Sequence, residues 1–188
     1  MTMCLHCLPA CDACPVQQFW QTAKARRVGL DTVTANIPSE FAVKDMELTS
    51  FKTLIAATPA DEVNATAARE FSKVLGQANV FQLTQREKPA GATGGRTNAA
   101  DHLTVSACFS PPKTNTQLKK LIQRGFTVKH TQLTSEFTRD DFEDMWGDEL
   151  VYMFVLDDGE LDVVNGRTKV PRKGVSVISL VPPQPPIP

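Results

Sequence analysis

The run LIAATPADEVNATAAREF, Leu54 to Phe71, constrains the fold more than any other part of this sequence. It opens with Leu54, Ile55, Ala56 and Ala57, an unbroken apolar stretch of the kind shown by a parallel strand covered on both faces. A helix start follows at once. Thr58 suits an N-cap, Pro59 suits the first helical turn, and Asp61 completes a capping-box spacing against Thr58. Apolar residues then recur at Val63, Ala67, Phe71, Val74 and Leu75, and Gly76 stands where a helix stop favours a positive φ. With a further strand over Asn79 to Leu83, the pattern predicts a strand–helix–strand unit of a parallel sheet. In such sheets ligands gather at the carboxyl ends of strands, here around Thr58.

Upstream, Pro15 to Gly29 reads as a helix with Val16, Phe19, Trp20 and Ala23 on one face. Leu30 to Ile37 reads as a strand ending near Asn36, and Pro38 to Leu48 as a short helix. Downstream, Thr84 to His102 holds Gly91, Gly94 and Gly95 with almost no apolar residues, which describes a linker. After it come a strand over Leu103 to Phe109 and a helix over Thr114 to Arg124 with Leu118, Leu121 and Ile122 inward. A strand over Phe126 to Leu133 is next, then a helix over Thr138 to Trp146 with a Thr138/Asp141 capping box and with Phe142, Met145 and Trp146 inward. Strands over Leu150 to Asp157, Glu160 to Asn165 and Val175 to Val181 close the pattern, the first two joined by a turn at Asp158-Gly159. The expected fold class is α/β: a partial Rossmann-like parallel sheet followed by a small α+β domain with an antiparallel meander. The expected division is a cysteine-rich leader (1–14), a Rossmann-like domain (15–85), a linker (86–102), an α+β domain (103–181) and a proline-rich tail (182–188).

Cysteine usage is lopsided. Cys4, Cys7, Cys11 and Cys14 crowd the first fifteen residues, whereas Cys108 stands alone in a strand-like run, so no disulfide framework for the whole chain is expected. Two C-x-x-C pairs admit a metal site of four thiolates, zinc or an iron–sulfur cluster. The plainer reading is an unstructured leader that folding does not need, because regular patterning begins only near Pro15. The formal net charge of −1 gives no argument for nucleic acid. No apolar run approaches the ~20 residues of a bilayer span, so no direct membrane insertion is expected and the expected compartment is the cytoplasm. His6, His102 and His130 are dispersed. The carboxylates Asp140, Asp141, Glu143 and Asp144 read as a solvated helix face near a favourable dipole, and no catalytic set is expected.

Taken in order, AKARRVGLDTVTANIPSE, LIAATPADEVNATAAREFSKVLGQANVFQL, HTQLTSEFTRDDF, LVYMFVLDDGELDVV and PRKGVSVISLV resemble the later part of the TrkA-N (RCK-type) Rossmann domain and the segment after it in the cytosolic tails of bacterial sodium/proton antiporters. The resemblance covers most of Ala23 to Val181, apart from the linker. It implies nucleotide contacts at Asn36 and Ile37, at Ala57 and Thr58 beside them, and at Asn64 one turn into the next helix. The plainer reading makes Thr58 a helix cap and Asn36 a turn residue. The sequence departs from the family: it contains no G-x-G-x-x-G turn, and the cysteine-rich leader stands where the second strand with its ribose-binding acid is expected, so the nucleotide cradle is expected to be incomplete, with no cofactor required and dinucleotide binding impaired. The function this implies is a non-enzymatic, cytosolic regulatory or interaction module related to the tail of a cation/proton antiporter, truncated or separately encoded. Its expected partner is the antiporter membrane domain or a second copy of the chain. The alternative is a small metal- or redox-binding protein using the four leader cysteines, and a third reading is a folded remnant without a task.

Overall fold

Apolar side chains at the spacings just described form two units, Met1–Val80 and Phe81–Pro188. The computed structural model describes residues 2–5, 52–85 and 105–183. The helix, strand and short helix expected over 15–48, the linker over 86–102 and most of the proline-rich tail lie outside these described residues.

In the first unit, β1 (Thr2–Leu5) runs parallel to β2 (Thr53–Ala56), in register from Thr2 opposite Thr53 to Leu5 opposite Ala56. This corrects the reading of the leader as unstructured. Backbone pairing needs no hydrophobic pattern, and four residues are too few for a period to show. Leu54, Ile55 and Ala56 are all buried, as expected of a strand covered on both faces. Helix α1 (Asp61–Leu75) packs against β2. Its buried residues are Asn64, Ala67, Ala68 and Phe71, an i, i+3, i+4, i+7 set. Val74, expected inward, lies on the flank of this stripe and is 52% exposed. Gly76, at φ +83°, stops the helix, and its N–H donates to the Ser72 carbonyl at 3.0 Å.

β3 (Val80–Gln82), of which Phe81 and Gln82 belong to the second unit, pairs parallel with β4 (Ser106–Ala107) through Phe81 and Gln82. Helix α2 (Asn115–Gln123) follows. It is opened by a reciprocal box in which Thr114 Oγ1 accepts from the Gln117 N–H and the Gln117 side chain accepts from the Thr114 N–H. None of its residues is buried, and Ile122, expected inward, is 61% exposed. Strands β5 (Thr127–Gln132), β6 (Val151–Asp157), β7 (Glu160–Val163) and β8 (Ser176–Val181) make an antiparallel sheet in the order β5-β8-β6-β7. β6 and β7 form the expected hairpin, with Asp158 and Gly159 both at positive φ as a tight two-residue turn demands. β8 then returns between β5 and β6 instead of continuing beside β7.

Helix α3 (Arg139–Trp146) lays Phe142 and Trp146 on this sheet, in one core with Tyr152, Val155, Val177 and Val181. The Phe142 ring stands 6.0 Å from that of Tyr152 and 6.4 Å from that of Trp146. Met145, also expected inward, is 56% exposed, because the helix presents only positions 142 and 146, one turn apart. The fold is thus α/β with parallel strand pairing, followed by an α+β part built on a four-stranded antiparallel sheet.

Candidate functional site

Where β2 ends, Thr58 and Asn64 close on each other, and both are only 1% exposed. Asn64 Oδ1 accepts from the Thr58 backbone N–H at 2.8 Å and from the Thr58 hydroxyl at 2.7 Å. Asn64 Nδ2 donates to the Thr58 carbonyl at 2.9 Å. The Thr58 Oγ1 also accepts from the Ala60 N–H at 3.2 Å. The side-chain amide thus serves one backbone donor and one backbone acceptor of the residue that leaves the sheet, and it ties that residue to the first turn of α1. Only an amide does both. A carboxylate here would set oxygen against the Thr58 carbonyl, and an apolar residue would strand two buried backbone groups.

This geometry replaces the expected capping box. The helix starts at Asp61 after Ala60, which makes no side-chain cap, so Pro59 precedes the helix and Asp61 does not pair with Thr58 in a box. The first turn carries Asp61 and Glu62, which suit the positive end of the helix and oppose a phosphate placed there.

Of the residues assigned to nucleotide contact, Thr58 and Asn64 are therefore brought together, with Ala57, half-buried, next to them. Asn36 and Ile37 lie outside the described residues. Of the four leader cysteines, Cys4 falls in β1 opposite Ile55, and Cys7, Cys11 and Cys14 lie outside the described residues. Among the described residues no three His, Cys, Asp or Glu side chains gather as metal ligands, and no helix is long and apolar enough to cross a membrane.

The carboxylates of α3 are more engaged than a solvated face. Asp141 closes the expected capping box, accepting from the Thr138 hydroxyl at 2.7 Å and the Thr138 N–H at 2.8 Å. Those two hydrogen bonds, with the nearby Arg172 charge, hold its carboxyl below the usual carboxylate range. Asp140 lies 3.1 Å from Arg139 and 3.0 Å from Arg172. Glu143 accepts from the Tyr152 hydroxyl at 3.2 Å and lies 3.5 Å from Arg139 Nε. That last contact is electrostatic only, since Arg139 Nε is buried without a hydrogen-bond partner. Burial, and then the Glu143 charge, push the Tyr152 phenol well above its ordinary value.

Sequence reasoning missed two further polar atoms. Gln82 Oε1 and Thr84 Oγ1, at the carboxyl end of β3, are buried without hydrogen-bond partners. Their spacing, two apart along a strand, was the available signal. It also missed the Tyr152–Glu143 contact, for which the sequence offers none. No family model matches the chain, and no curated protein matches it either.

Proposed function

We propose that this chain is a non-enzymatic regulatory module acting with the membrane domain of a sodium/proton antiporter, either as a single copy or as a pair. One observation carries the reading: the locked junction at the carboxyl end of β2, where a buried parallel strand, Thr58, Asn64 and α1 form one rigid corner. The antiporter-tail resemblance runs through these same residues. Fold likeness alone does not give function. The added support is that the polar groups of α3 are spent on the helix cap and on ion pairs instead of being presented together to a substrate.

In this reading the module acts by population shift. It binds one state of the transporter better than the other, and the shift it produces is limited by that difference in affinity. No bound nucleotide is needed. The test is transport in everted vesicles holding an antiporter membrane domain, with and without the purified chain. The expected result is a changed sodium dependence of proton movement, together with co-purification of the two proteins. Identical transport and no co-purification contradict the reading.

A further inference from the structure

The connection from β7 to β8 is held at its start, middle and end. Asn165 Oδ1 accepts from the backbone N–H of Arg167 at 2.8 Å and of Thr168 at 3.1 Å, and Thr168 Oγ1 accepts from the Asn165 N–H at 3.1 Å. Val170 is buried in the core, and its carbonyl accepts from the Arg139 guanidinium at 3.0 Å. The Arg172 carbonyl accepts from the Arg139 N–H at 2.9 Å, and its guanidinium pairs with Asp140. The Gly174 N–H donates to the Leu133 carbonyl at 2.8 Å.

The anchors leave Arg167, Lys169 and Lys173 exposed, with no ion pair among the described residues. No Asp or Glu lies between Asp162 and Val181. On α3, to which the loop is tied, Asp140 and Asp141 are engaged by Arg172 and by the helix cap.

We propose that this pinned loop is a docking surface for the headgroups of an anionic phospholipid membrane. Its charge is complementary to that surface. Its valines, Val164, Val170 and Val175, are all turned into the core, so the loop lacks the large apolar anchor on which protein–protein contacts concentrate their energy. A headgroup layer needs only charge, with each cation near it strengthening attachment about fivefold. The loop is already fixed, so little ordering accompanies contact. The proposal stands on the loop alone and does not depend on the antiporter reading.

The test is co-sedimentation of the full chain with vesicles of phosphatidylglycerol and phosphatidylcholine, against phosphatidylcholine alone, at low salt. Binding to the anionic vesicles only, weakening as salt rises, is expected. The triple variant Arg167→Gln, Lys169→Gln, Lys173→Gln should keep its far-ultraviolet circular dichroism and bind about a hundredfold more weakly. Lys119→Gln with Lys120→Gln on α2 should change binding by less than about twofold. Absence of anionic-vesicle binding, unchanged binding by the triple variant, or an equal loss in the α2 double variant overturns the proposal. So does tight binding of inorganic pyrophosphate without any binding of vesicles.

Discussion

Asn64 is the polar member of the inward stripe of α1, and it is satisfied only because Thr58 offers a donor and an acceptor at the end of the strand. Asn64→Ala leaves both backbone groups buried and unpaired, so urea unfolding should show a loss of about 3 kcal/mol. Asn64→Asp should lose at least as much at neutral pH, and a loss below about 1 kcal/mol in either variant would show that the corner is not a lock. The sequence held half of this. A polar residue at an i, i+3, i+4, i+7 position of a buried stripe signals a partner, but the apolar series was read through Val63 and Val74, which hid Asn64 from the stripe. Tyr152 offers a second test, since it is the only tyrosine in the chain and its absorbance is unambiguous. Its folded-state ionisation is raised, so its contribution to stability is present below the ordinary value of about 10 and is lost as pH rises past it. Spectrophotometric titration should show tyrosinate forming well above that value in the folded protein, and near it in urea. Titration near the ordinary value in both would remove the buried contact with Glu143.

Elements with a strong local signal were legible. The Thr138/Asp141 box, the Asp158-Gly159 hairpin and the stop at Gly76 rest on chemistry within a few residues, and all stand where expected. Elements defined by distant partners were not. β8 enters between β5 and β6, because register and strand order follow which faces are buried, and no turn dictates that. α2 carries Leu118, Leu121 and Ile122 at helical spacing but buries none of its residues, so a periodic stripe predicted the helix and not its depth. β1 is the clearest case. It has no pattern of its own, yet it lies along the whole of β2. Removing residues 1–5 should therefore lower stability by about 2–4 kcal/mol, at roughly 1 kcal/mol net per ladder hydrogen bond. An unchanged urea midpoint would restore the view that the leader is dispensable.

At the scale of the whole molecule, the class of each part was readable because periodicity switches with it: buried runs and a 3.6 period before the glycine-rich stretch, alternating strands and a tight turn after it. The division between units at Val80 falls inside β3, a place that composition does not mark. The candidate site was legible as a location, the carboxyl end of β2, but not as an arrangement, since two of the five residues named as ligand contacts, Thr58 and Asn64, turn out to contact each other. This corner is a structural lock and not a nucleotide cradle. A lock predicts that the polar groups of Thr58 are unavailable to a ligand and that Asp61 and Glu62 disfavour a phosphate at α1. Calorimetric titration of the chain with NADH, NAD and ATP, alongside Thr58→Val, tests this most directly. The account predicts millimolar or weaker binding in both proteins, with the variant differing only in a lower unfolding free energy. Micromolar binding that Thr58→Val abolishes, in a variant that remains folded, would contradict it.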